Sequence, residues 1–295
     1  MILFKRKTAG EAIFDGLNGL VMLLVCFVTL YPIWYVLVHS FNNGTDAMQG
    51  GIYWWPRVPS LDNYRAVFEN TGIMKAMGIT VAKTVIGTAA HVFFTSMVAY
   101  AFSRRELAGR RVYMMLGTVT LFFSGGLIPT YLLIRDLGLL DSFWVYILPA
   151  MFNFFDLIIF LAFFREIPAG LEEAAKIDGA GDFTIFCRVV LPVSMPVVAT
   201  IALFHGVYQW NDYFTGMIYI NNPDLQPIQT FLYRVVAQSS SNQMLAAAPG
   251  GMAKNVTSQS IKLATMVVTT LPIVLAYPFL QKYFVKGFMI GSIKG

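Results

Sequence analysis

The chain has 295 residues, 57% of them hydrophobic and 13% charged, with a mean hydropathy of +0.62. Ordinary soluble domains carry about 25% charged residues, so a water-facing globule is excluded and one membrane-embedded helical bundle is expected. Two cysteines, Cys26 and Cys187, exclude a disulfide framework and a cysteine metal cluster; the net charge of +5 matters through its placement, not as a nucleic-acid-binding face.

A spanning helix needs roughly 20 mostly apolar residues. Six stretches qualify, at 16–41, 77–102, 112–134, 143–164, 195–219 and 261–281. The first is long and has no small-residue cleavage site, so it reads as a retained helix rather than a signal peptide. Pro129, Pro272 and Pro278 interrupt the third and sixth, which membrane helices tolerate because neighbours satisfy the freed carbonyls. The expected fold is therefore all-α, a polytopic six-span bundle. It has an N-terminal segment 1–15, a membrane domain 16–281 and a tail 282–295.

Basic residues orient the spans. Lys5, Arg6 and Lys7 precede the first, and Arg104, Arg105, Arg110 and Arg111 fill the short loop after the second. Arg165, Lys176 and Arg188 follow the fourth, and Lys282, Lys286 and Lys294 follow the sixth. These are 13 of the 21 Lys and Arg, all on one side, so both termini are expected in the cytoplasm. The large outer segments are 42–76 and 220–260. The first holds the interfacial cluster Trp54, Trp55, Pro56 and Pro59. The second, with Ser239–Ser241 and Pro249-Gly250-Gly251, reads as a flexible loop or a short helix followed by one.

Between spans four and five, residues 165–192 form a polar break. It contains Glu173-Ala174-Ala175, three residues, Gly179, nine residues, Val189, one residue and Leu191-Pro192. Six fixed letters plus an aliphatic match by chance on the order of once in 10⁷ starting points, from average residue usage. Pro168 suits a first helical turn, and 169–178 then form a short helix. Ala174 and Ala175 let another surface come close, and Glu173 supplies a charge to pair with it. Gly179 and Gly181 bracket a turn, and Asp182 suits the N-cap of a second helix with Phe183, Phe186 and Val190 on its apolar face. Leu191-Pro192 is expected to end that helix. The result is a rigid knob able to transmit a push; an interfacial hairpin without a partner explains the apolar face but not the Ala-Ala and Gly spacing.

The pattern resembles the ATPase-docking loop of ABC importer permeases. Pro59-Ser60-Leu61-Asp62-Asn63-Tyr64 looks like the element after the first span of carbohydrate permeases, and Trp210-Asn211-Asp212 like their fifth-span element. Gln281-Lys282-Tyr283-Phe284-Val285-Lys286-Gly287 and Ile293-Lys294-Gly295 look like their tail. The chain thus resembles the maltose-transporter-like, six-span permeases, and its 236–258 loop looks like the oligosaccharide- and polysaccharide-importing branch. The resemblance implies a bacterial inner-membrane transport subunit that is not itself an enzyme. It implies a second, usually different permease, two ATPase subunits and an extracytoplasmic solute-binding protein as partners. It also implies ATPase contacts for Glu173, Ala174, Ala175, Asp178, Gly179, Leu191, Pro192, Lys294 and Gly295, and a scoop role for 236–258.

No GxxxxGK[ST] occurs, so ATP and Mg²⁺ are expected on the partner ATPase and no cofactor in this chain. His39, His91 and His205 lie far apart without metal-ligand spacing, and no metal site is expected. Asp156, with Asn153 one turn earlier, falls near the middle of span four, where an ionised group must face the bundle or a water-filled path. It reads either as a solute contact or as a structural hydrogen bond to a neighbouring helix. Tyr208, Gln209, Asn211 and Asp212 line the same path or meet interfacial water, and Lys83 snorkels or pairs with one of these acids. An importer of another solute, such as an amino acid or peptide, remains open. An ion-coupled transporter carried by Asp156 and Asp212 predicts inverted repeats with broken helices, which the sequence lacks, and leaves the docking loop unexplained.

Overall fold

The computed structural model describes residues 8–104, 106–237, 256–257 and 259–275. The described residues are helical apart from turns, loops and an isolated bridge between Asn42 and Pro59. Among the described residues, those within 1–70 and 239–268 form one compact unit and those within 71–238 and 269–295 form the other.

In the first unit, α1 (Ala9–Ser40) opens on a capping box, Thr8 and Glu11 each satisfying the other's backbone amide. Its 32 residues span about 48 Å at 1.5 Å per residue, and apolar side chains are exposed along most of its length. The helix begins within the 1–15 segment. Its C-terminal carbonyls are closed by the Pro59–Tyr64 element. Asn63, fully buried, donates to Ser40 O at 2.9 Å and Asn42 O at 2.7 Å, and Tyr64 Oη lies 2.6 Å from Ser40 Oγ. Helix α2 (Asp62–Glu69) carries both residues. Trp54 and Trp55 fold back on α1: Trp34 Nε1 donates to Trp54 O at 2.9 Å, and the Trp34 and Trp55 rings meet edge to face.

In the second unit, α3 (Thr71–Ser103) is the axis. Its buried positions Ile73, Ala76, Thr80, Lys83, Gly87, His91, Thr95 and Ala99 recur every three or four residues, so one stripe faces the neighbouring helices. Along it lie α6 (Phe154–Phe164) and α9 (Met195–Asn211). The apolar core joins Ala99 and Tyr100 to Leu157, Phe160, Leu161, Ile185, Phe186 and Ile201.

The expected third, fourth and fifth spans are not continuous helices. Residues 112–134 divide into α4 (Arg110–Phe122) and α5 (Leu127–Asp136), bent by 118°. Gly126 turns the chain at φ +83, and Pro129 falls in the first turn of α5, where its missing N–H costs nothing. Residues 143–164 begin as a 3-10 turn, Phe143–Tyr146, and become α-helical only at Phe154. Span five breaks at Asp212–Tyr213 before α10 (Phe214–Tyr219). Helix α11 (Gln259–Leu275) covers part of the sixth stretch; 276–281 lie outside the described residues. By length and composition α1 and α3 each suffice to cross a membrane, with up to four crossings if each bent pair counts as one.

Candidate functional site

The polar break folds as a closed hairpin. Pro168, expected in the first turn, instead occupies the N-cap position before α7 (Ala169–Ile177) and makes no side-chain cap; the helix ends at Asp178. Gly179, at φ +79, donates to Lys176 O and Ala180 N donates to Ala175 O, each at 3.0 Å. This pair of bonds is a Schellman closure, whose penultimate residue must adopt left-handed backbone. Ala175 and Ala180 pack against the core, while Glu173, Ala174, Ile177, Asp178 and Gly179 are exposed. Ile177 is 86% exposed, an apolar side chain left on the surface beside a carboxylate and a small residue. That face is built to receive another surface.

The second arm, α8 (Asp182–Val193), departs from expectation in three ways. Gly181, at φ −72, is the N-cap, and Asp182 is the first helical residue with no capping bond from its side chain. The buried face is Ile185, Phe186 and Val190, with Phe183 61% exposed. Leu191-Pro192 does not end the helix. Residues Phe186–Val190 form a π turn, with Leu191 N bonded to Phe186 O. Pro192 has no N–H and its ring crowds the Arg188 carbonyl, so the widened turn carries the helix past it. The chain stops at Ser194 and bends by 83° into α9, with Pro196 in the new first turn. Lys294 and Gly295, and most of 236–258, lie outside the described residues.

Arg104, counted from sequence only as a topology charge, anchors the hairpin. It pairs with Glu172 of α7, lies 3.8 Å from Asp182 of α8 and covers the Tyr100 ring at 4.3 Å. Both arms of the hairpin are thereby tied to the end of α3.

Away from the hairpin lies a cavity of about 190 Å³ lined by Thr130, Tyr146, Tyr208, Gln209, Asp212, Thr215 and Tyr219, among others. Lys83 is buried beside it. Its Nζ donates to Asp212 O at 2.8 Å and Oδ2 at 3.2 Å and lies 4.9 Å from the Tyr146 ring centre. Asp212 Oδ1 accepts Thr215 N at 3.1 Å. One acid thus closes both sides of the span-five break, and one lysine neutralises it. Gln209, buried, donates to Tyr146 O at 2.9 Å. It sits against Gly87, where a Cβ would lie 2.8 Å from Gln209 Nε2.

The other sequence candidates divide. Asn153 is the N-cap of α6, its side chain accepting Phe155 N and Asp156 N, as asparagine does at helix starts. Asp156 is in the first turn of that helix, not its middle, and accepts from or donates to His91 Nε2 at 2.9 Å. Asn211 Nδ2 donates to Val207 O, a bond within its own helix. The histidines also differ from expectation: His91 and His205 stack at 3.8 Å with planes 4° apart, and Asp156 joins them. No sequence spacing shows this, because the three residues come from α3, α6 and α9.

Comparison with known proteins agrees with the hairpin. Residues 4–290 match the family described as binding-protein-dependent transport system inner membrane component. The chain is 42% identical to Protein LplC of Bacillus subtilis over 292 residues, covering 98% of each. It is 43% identical to the polygalacturonan/rhamnogalacturonan transport system permease protein YtcP of the same organism over 283 residues, covering 96% of this chain and 99% of YtcP. A chain in the crystal structure of a bacterial ABC transporter that imports the acidic polysaccharide alginate superposes with a TM-score of 0.88 at 30% identity, covering 95% and 99% of the two. With a docking hairpin, an all-helical permease fold and this full-length likeness, the chain belongs to the inner-membrane components of binding-protein-dependent transport systems.

Proposed function

We propose that this chain forms half of the translocation pore of a bacterial ATP-driven importer of oligosaccharides, including polysaccharide fragments. Six crossings place both termini and the 165–192 hairpin in the cytoplasm, with 42–76 and 220–260 outside. The domain plan is a short N-terminal segment, one membrane domain and a cytoplasmic tail at 282–295. A second, different permease completes the pore, two ATPase subunits supply ATP and Mg²⁺, and an extracytoplasmic binding protein delivers the sugar. The chain itself is a transport subunit. The observation that carries this reading is the Schellman-closed hairpin, anchored by Arg104 and presenting Glu173, Ala174 and Ile177 outward.

Mechanically, closure of the ATPases moves the hairpin as one body, because its turn is locked and both arms are tied to α3. Helix α3 packs along α6 and α9, so the push reaches the polar cavity, which α9 lines with Tyr208 and Gln209. Tyr146, Tyr208 and Tyr219 offer ring faces to apolar sugar surfaces; Gln209 and Asp212 offer hydroxyl partners. Lys294 and Gly295 contact the ATPases, and 236–258 acts at the binding protein.

The test is uptake in a strain lacking this gene, complemented with the wild-type chain. Labelled neutral oligosaccharides, uronate oligosaccharides, amino acids and short peptides are supplied in parallel. Restored uptake of an oligosaccharide alone supports the reading. Restored uptake of only amino acids or peptides assigns another solute, and uptake that survives loss of ATP but not of the ion gradient contradicts it.

A further inference from the structure

We propose that His91, Asp156 and His205 form a binding site for one divalent transition cation of the Zn²⁺ and Co²⁺ class, set in the helix core of the second unit. Three acceptor groups converge there, each offering one ligand atom, and these atoms all lie within 4.8 Å of one another. His91 Nδ1 lies 2.9 Å from Ala150 O. A carbonyl only accepts, so Nδ1 carries a proton and, in the neutral ring, Nε2 presents its lone pair to Asp156 Oδ2 at 2.9 Å. Gln209 Nε2 is fixed as a donor by Tyr146 O and points its second proton at His205 Nε2, 3.4 Å away. That nitrogen therefore also holds a lone pair.

The lone pairs of His91 Nε2 and Asp156 Oδ2, 2.9 Å apart, require a cation between them, whereas that of His205 Nε2 faces the Gln209 amide. That cation is either a single proton shared by His91 and Asp156 or a metal ion. Two imidazoles and one carboxylate suit a borderline cation such as Zn²⁺. The bond from His91 Nδ1 to a main-chain carbonyl is the support that metal-binding histidines use to fix tautomer and ring orientation. The polar cavity supplies an approach, since Ala150 and Gln209, the groups bonded to the two imidazoles, both line it.

The geometry also states what must move. A metal lies in the plane of each ligating ring, and two rings with centroids 3.8 Å apart and planes 4° from parallel share no such point within bonding reach. Binding therefore turns the His205 ring about its Cβ–Cγ bond, which breaks the stack and the weak Gln209 contact. The ion displaces the proton between His91 and Asp156, which leaves to water through the cavity: one cation enters and one proton departs. The inference rests on these three helices and not on the identity of the transported solute.

The experiment is a Co²⁺ titration of the full chain, purified with its copurifying subunits and without a histidine tag. Ligand-field bands saturating at one Co²⁺ per chain, displaced by Zn²⁺, are expected. His91→Asn and His205→Asn should each weaken binding at least about tenfold, whereas His39→Asn should leave it unchanged. Should the ligand variants fail to fold, Cu²⁺ electron spin-echo spectra of the H39N chain must still show nitrogens from two imidazoles. Absence of bands in the wild type, binding untouched in H205N, or one imidazole or none in H39N overturns the site and leaves a proton as the bridge.

Discussion

Replacing Lys83 with Met removes a charge that the structure buries completely. The Lys83 side chain is 0% exposed and that of Asp212 8%, so water screens neither. Breaking a buried pair by removing one partner costs about 3–5 kcal/mol, because the remaining charge stays in a poor solvent. Here that charge is Asp212, whose backbone carbonyl also loses its bond from Nζ. Asn at 212 keeps an oxygen for Thr215 N but carries no charge, so K83M/D212N leaves chiefly the 212 carbonyl unpaired, at about 1–3 kcal/mol. The double variant should therefore be more stable than K83M alone. The assay is equilibrium unfolding in mixed micelles followed by tryptophan fluorescence, with oligosaccharide uptake measured beside it. A K83M chain within about 0.5 kcal/mol of wild type, the range of an ordinary surface substitution, refutes the buried-pair account. So does a double variant whose loss equals the sum of the singles.

Gly179→Val forces a β-branched residue into φ +79 at about 1–2 kcal/mol; no atom lies within 4 Å of the added Cβ, so folding should survive while stimulated ATPase activity and uptake fall together. Normal values of both would count against the docking account. Gly117→Ala would place a Cβ 1.9 Å from the Phe154 ring, so α4 or α6 must shift, costing about 1–3 kcal/mol as overpacking; an unchanged melting temperature would show that the two helices do not meet there. Asp141 accepts the backbone amides of Asn222 and Asn221, which hold its carboxyl below the ordinary value. Because the folded value is the lower one, the latch is present above the unfolded value of about 3.9 and is lost as pH falls through the folded one. Asp141→Asn keeps the left-handed backbone at φ +54 but removes the charge. Hydrogen exchange at Asn221 and Asn222, corrected for intrinsic rates, should be faster in D141N at neutral pH and less sensitive to acid; identical profiles would dismiss the latch.

The hairpin was legible because its information is local. Glu173-Ala174-Ala175 and Gly179 fall within a few residues, and a Schellman turn needs only that spacing. The face expected on Phe183, Phe186 and Val190 assumes one 3.6-residue period, whereas the π turn at Phe186–Val190 breaks that register and Ile185, not Phe183, is buried beside Phe186. Hydropathy found the apolar stretches but not their breaks. A window average cannot feel one Gly126 at positive φ, an Asn153 that caps rather than spans, or an Asp212 paired with a lysine 129 residues earlier in the chain. The histidine pair was beyond reach for the same reason, since it exists only once α3 and α9 lie side by side.

The most direct test of the docking claim is site-specific photocrosslinking in membranes where the chain supports uptake. A benzophenone amino acid at Ile177, the exposed apolar residue of α7, should give an adduct with the ATPase subunit. The same probe at Met48, in the 42–76 segment proposed to lie outside, should not. An ATPase adduct from Ile177 alone is the predicted result; none from Ile177 in an active transporter would contradict the account.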